Sequence, residues 1–181
     1  MPIKPTKEDL ADAPNRTVPD LVAPDLNVLF CGINPGIYSG ATRLHFARPG
    51  NRFWKVLHLA GFTDRQLDPS EGKDLLDLGY GITCFVERTT ARADELSKEE
   101  YVEGGKILVA KLRRYQPKVL AVVGIGAYRT AFDRPKASVG PQSETFGSTR
   151  VWLLPNPSGL NANYQLPEMV DLFAQLRRSL C

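Results

Sequence analysis

Apolar runs and polar breaks alternate along this chain with two different periods. Asn27–Ile33 (NVLFCGI), Gly81–Val86 (GITCFV), Lys118–Gly124 (KVLAVVG) and Arg150–Pro155 (RVWLLP) are apolar runs of strand length. Lys118–Gly124 is apolar on both alternating faces, as a buried parallel strand should be. Between the runs the period lengthens to that of a helix. In Asn51–Gly61 (NRFWKVLHLAG), Phe53, Leu57 and Ala60 share a face; Asn51 is placed to cap the start and Gly61 to stop the end. Ser97–Tyr115 opens on a Ser97…Glu100 capping box and carries Tyr101, Leu108, Leu112 and Tyr115 on one side. Its Gly104-Gly105 pair weakens the helix locally, and Pro117 ends it. A last helix begins at Pro167, with a stripe of Met169, Leu172, Phe173, Leu176 and Leu180.

Strands alternating with helices predict an α/β fold: a three-layer sandwich whose central, mainly parallel sheet is flanked by helices. Ligands in such sheets bind at the carboxyl ends of the strands. The segments Ile33–Gly50, Glu87–Leu96, Ile125–Tyr128 and Asn156–Leu166 should therefore share one edge. Residues 1–25 read differently. They carry Pro2, Pro5, Pro14, Pro19 and Pro24 among charges, and form an arm either laid over the surface or disordered. Residues 26–181 read as a single domain.

Composition narrows the function classes only a little. No apolar run approaches the ~18 residues of a membrane span, and the start of the chain has no apolar signal core. A cytoplasmic protein with no membrane partner is expected. Cys31, Cys84 and Cys181 are too widely spaced for a zinc motif, and two histidines, His45 and His58, do not make a metal site. His58, inside an amphipathic stretch, reads as structural. A net charge of +3 permits nucleic-acid binding without arguing for it.

Two of the edge segments are unusual and alike. Gly32–Gly36 (GINPG) and Pro155–Leu160 (PNPSGL) each set Asn-Pro directly after a strand. Proline restricts the preceding asparagine to extended conformations, so Asn34 and Asn156 are held in place. Glycines beside them let backbone approach a ligand closely. Either motif alone is an ordinary strand-ending turn; the pair on one edge favours a site.

GINPG, then His45–Thr63 (HFARPGNRFWKVLHLAGFT), then Leu153–Leu160 (LLPNPSGL) resembles the mismatch-specific uracil-DNA glycosylases. These are relatives of the thymine-DNA glycosylases. The resemblance runs from about Asn27 to the final helix. It implies hydrolysis of the N-glycosidic bond of a flipped-out uracil, with preference for G:U mispairs and with no metal or cofactor. It implies that Asn34 holds the attacking water, that backbone at Ile33 meets the base, and that Ser39 lies near the pyrimidine. Phe46 would stack on the base; a core phenylalanine is the other reading. Asn156, Ser158, Gly159 and Asn161 would lie against DNA. Leu160 would be the wedge that fills the gap in the stack, unless it folds onto the core. Uracil-containing double-stranded DNA is the expected partner, single-stranded DNA a further one, and a monomer the expected state. With no lysine in either motif loop, no Schiff-base lyase step is expected.

Charge adds two expectations. Arg43, His45, Arg48, Arg52, Arg88 and Arg92 could line a phosphate track, whereas Arg113, Arg114, Arg177 and Arg178 suit helix ends. Asp94 could take a proton from the water that Asn34 orients, or could simply be an acidic residue near a helix start. Two rival functions remain: a non-catalytic binder of damaged DNA on the same scaffold, and a hydrolase of free deoxynucleotides, to which Leu160 would not matter.

Overall fold

The computed structural model describes residues 3–181; Met1 and the arm's Pro2 lie outside them. Among the described residues five strands are formed: β1 (Val28–Gly32), β2 (Tyr80–Cys84), β3 (Val119–Val123), β4 (Gly140–Phe146) and β5 (Thr149–Leu154). Seven α-helices accompany them there: α1 (Lys7–Asp12), α2 (Ile37–Thr42), α3 (Phe53–Leu59), α4 (Asp74–Asp77), α5 (Lys98–Tyr115), α6 (Ile125–Phe132) and α7 (Leu166–Ser179). The sheet order is β2-β1-β3-β5-β4. β2, β1, β3 and β5 run parallel, and β4 adds an antiparallel edge.

Period-two alternation in the strands divides the core. Val28, Phe30, Val119, Ala121, Val123, Trp152 and Leu154 face one side, where they pack with Phe53 and Leu57 of α3 and Met169, Phe173 and Leu176 of α7. Leu29, Cys31, Leu120, Val122, Val151 and Leu153 face the other, against Leu108 and Leu112 of α5 and Tyr128 of α6. These are the three expected layers. Among the described residues no helix is long and apolar enough to cross a membrane.

The start signals act close to where the sequence puts them. Ser97 and Glu100 form a reciprocal capping box. Asn51 caps from one residue further out than expected: its side-chain oxygen accepts the Phe53 N–H at 2.9 Å, while Arg52 is the residue flanking α3. Gly104 and Gly105 do not interrupt α5. A Cβ on Gly104 would collide with the Phe85 carbonyl, so glycine lets α5 lie directly on the chain leaving β2.

Five elements depart from expectation. Ile125–Tyr128 is the first half of α6, α2 lies inside the segment expected to be loop, α1 lies in the arm, and α4 and β4 have no counterpart in the sequence pattern. β4 (GPQSETF) alternates half-buried and exposed residues and has Phe146 as its one large apolar side chain, and so lacks an apolar run.

The N-terminal segment is laid over the surface. Leu21 bridges Ile82 of β2. Asp20 accepts from Lys111 Nζ at 2.6 Å and from Thr83 Oγ1 at 2.9 Å, in a largely buried cluster that joins the arm, β2 and α5. Asp20→Asn and Lys111→Met should each destabilise the protein. In a denaturant double-mutant cycle they should couple by about 0.5–3 kcal/mol, as groups in one hydrogen-bonded network do. Simple additivity would show that the pair contributes nothing as a pair.

Candidate active site

At the carboxyl edge of the sheet, the chain leaving β1, the chain leaving β2 and the chain leaving β5 enclose a cavity of about 570 Å³. Ile33, Asn34, Ser39, Phe46, Asn156, Ser158 and Leu160 all line it. Both Asn-Pro loops thus reach one cavity, as the parallel reading requires.

Asn34 is fixed by its own amide protons. Nδ2 donates to the Arg88 carbonyl and to Thr90 Oγ1, each at 2.8 Å. A carbonyl can only accept, so the nitrogen must face Arg88 and the amide cannot be flipped. Thr90 Oγ1 in turn donates to the Arg92 carbonyl at 2.8 Å, which leaves its lone pairs to Asn34. Among the described residues Asn34 Oδ1 accepts no hydrogen bond. The result is an oriented acceptor in the cavity wall.

Phe46 is half-buried and lies on Phe53 with ring centroids 4.1 Å apart. Its φ is +50°, a region that aromatic residues rarely adopt, so the surroundings hold it there. Gly32 makes room for it: a Cβ would sit 3.3 Å from the ring. Ser39 is buried in α2, and its Oγ accepts the Ala47 N–H at 3.2 Å, which ties the Phe46 loop to that helix.

The second loop is shaped by Asx-type and serine turns. Asn156 Oδ1 accepts the Ser158 N–H at 3.0 Å, and Ser158 Oγ accepts the Leu160 N–H at 3.2 Å. Gly159 approaches the Gly50 carbonyl so closely that a Cβ would come within 2.5 Å of it. Leu160 is 75% exposed, so the alternative of a leucine folded onto the core is overturned. Asn161 borders an adjacent cleft at the start of α6 instead, and Gly159 lines neither hollow.

Residues 19–180 match the family model for the uracil DNA glycosylase superfamily. The chain belongs to that superfamily. It is therefore a DNA N-glycosylase in general terms. Its fold is similar to the solution NMR structure of a Methanosarcina acetivorans protein described as a candidate uracil DNA glycosylase. The two share 18% identity with a TM-score of 0.59, over 90% of this chain and 98% of that one, a likeness of fold alone.

Several charges in this glycosylase are used differently from the expected phosphate track. Arg52 donates to three carbonyls of the Leu160 loop. Arg88 pairs with Glu100 at 2.8 Å. Arg43, at the left-handed end of α2, is exposed and stays compatible with the track. Only Arg48, Arg92 and His45 of the six reach the cavity wall. Asp94 does not reach it: its carboxylate is 72% exposed and pairs with Arg92 at 3.1 Å, in a short 3-10 turn before α5. His58 has the structural role expected of it, with Nδ1 3.1 Å from the Thr63 carbonyl. Among the described residues no group of three His, Cys, Asp or Glu side chains could hold a metal ion.

The structure also supplies wall residues that the sequence did not mark. Thr90 is one; its role depends on a contact across 56 residues. Cys84 is another, its thiol pushed up to about 12 by burial and therefore neutral near pH 7. Leu10 of α1 is a third, from a segment that precedes the family match.

His45 carries a pH dependence. It is buried, and Nε2 lies 2.8 Å from the Pro19 carbonyl, so that nitrogen bears the proton. Burial holds its pKa below the ordinary 6.5. The unfolded chain takes up a proton near that ordinary value and the native state resists it. Stability from this site is thus present above about pH 6.5 and lost as pH falls through the lowered native value. His45→Gln keeps a donor for Pro19 and cannot titrate. Urea midpoints should fall less between pH 7 and pH 5 in His45→Gln than in the wild type. Parallel losses would remove His45 as the cause.

Proposed function

We propose that this glycosylase hydrolyses the N-glycosidic bond of a uracil flipped out of duplex DNA, prefers uracil opposite guanine, and has no lyase step. The single observation that supports this best is the pinned amide of Asn34. Its oriented Oδ1 accepts one proton of a water and aims the water oxygen at the sugar carbon. As the new C–O bond forms, the C–N bond breaks and its electrons pass to the base. Hydrogen-bond donors around Ile33 stabilise the charge that develops on the uracil oxygens. The second water proton passes to solvent. An amide is a poor proton acceptor, so the rate rests on orientation, and slow turnover follows.

Phe46 stacks on the extruded base, an interaction worth ~1–3 kcal/mol. Leu160 enters the gap left in the stack, as apolar wedges do. Among the described residues no lysine lines the cavity, which favours simple hydrolysis. The exposure of Asp94 and its pairing with Arg92 favour a helix-end role over proton acceptance.

Base release from a labelled duplex with one uracil tests this. Asn34→Ala should slow single-turnover release by about 10²-fold or more, and Asp94→Asn should leave it unchanged. Tight binding without release would point to a damage-binding protein. Release from free deoxyuridine monophosphate at the duplex rate would point to a nucleotide hydrolase. A strong loss in Asp94→Asn would return a carboxylate base to the reaction.

Leu160→Ala should impair duplex uracil by about tenfold or more and spare single-stranded uracil, where no stack must be opened. Equal losses on both would sink the wedge.

A further inference from the structure

Leu160 poses a physical problem in the free protein. A large apolar side chain held three-quarters exposed gains by folding down onto any apolar surface. The hydrogen bonds within its loop do not prevent this. Asn156 to Ser158, Ser158 to Leu160 and Asn161 to Asn163 fix local turns, and none ties the loop to the body of the protein.

Arg52 does. Its Nη1 donates to the Tyr164 carbonyl at 2.8 Å; its Nη2 donates to the Ser158 carbonyl at 2.8 Å and the Asn161 carbonyl at 3.1 Å. Its backbone N–H donates to the Pro157 carbonyl at 2.9 Å. These four acceptors lie on both sides of Leu160 in sequence. Among the described residues no carboxylate pairs with Arg52, so the guanidinium is committed to the loop backbone. Its Nε is buried and meets no acceptor among the described residues, a cost the other bonds offset. Gly159 seated on the Gly50 carbonyl completes the attachment.

We infer that Arg52 is a positioning residue that presets the Leu160 loop for opening the DNA stack. This rests on the reading of Leu160 as a wedge. Charge-assisted bonds from one planar fork hold the loop open against the collapse that would bury Leu160. The fork stands at the start of α3, six residues after Phe46. The residue that displaces the base and the ring that receives it are thereby fixed to one frame.

Arg52→Lys is the sharpest variant. It keeps the charge but cannot span three carbonyls, and Arg52→Met removes both. Amide hydrogen exchange of the free protein should quicken about tenfold or more across residues 158–164 in Arg52→Lys, with β1, β3 and β5 unchanged. The ratio of duplex to single-stranded uracil release should fall about tenfold. In a Leu160→Ala background Arg52→Lys should lower that ratio no further. If the wild type releases no base, the proposed function fails on its own; binding of an abasic-site duplex against the same single strand then supplies the ratio. Unchanged loop exchange in both variants, or equal losses on duplex and single strand, would overturn the inference.

Discussion

In a parallel sheet every strand delivers its carboxyl end to the same edge, whatever the sequence of the loops that follow. Here β1 is paired with β2 on one side and β3 on the other, and β5 lies next to β3. One strand alone separates the two that end in Asn-Pro. The site follows from that spacing. The chain leaving β2 is close enough to β1 for the Arg88 carbonyl to accept from Asn34, and the chain leaving β5 is close enough to rest on Gly50. Any strand order that put β1 and β5 further apart would leave two unrelated turns.

Within that frame the proposed chemistry depends on direction more than on charge. The acceptor that faces the cavity is an amide oxygen, and it is directional because both protons on the same amide are engaged elsewhere. The thiol nearby has its pKa raised further by burial and carries no charge near pH 7, and the exposed carboxylate of Asp94 is paired with Arg92 and does not line the cavity. The arrangement is rigid at each contributing point: a proline after the asparagine, a phenylalanine in a left-handed conformation, and a glycine pressed on a carbonyl. The proposed hydrolysis draws on that rigidity.

The N-terminal segment belongs to this edge as much as to the far surface. Pro19 accepts from His45, Arg16 donates to the Ala41 carbonyl at 3.0 Å, and Tyr38 reaches the Ile3 carbonyl. All three contacts fall on the chain that follows β1. Leu10 then adds an apolar side chain to the cavity wall from outside the stretch that matches the superfamily.

The periods of two and 3.6 sufficed to place the four parallel strands, α3, α5 and α7, and so the layered architecture. Those signals are local and apolar, and burial enforces them. β4 escaped because an edge strand with one solvated face needs no apolar run, and α6 because its first turn follows β3 directly through Gly124. Both Asn-Pro motifs were legible for a similar reason: proline restricts its neighbour within the sequence itself. What sequence alone could not decide is who accepts from whom. Arg52 read as a basic residue free for phosphate, and tertiary structure turned it onto three carbonyls more than a hundred residues away. Thr90, Cys84 and Leu10 carry no local mark at all. Their place in the cavity is set by strand order and by the path of the arm, which depend on contacts between residues that the chain keeps far apart.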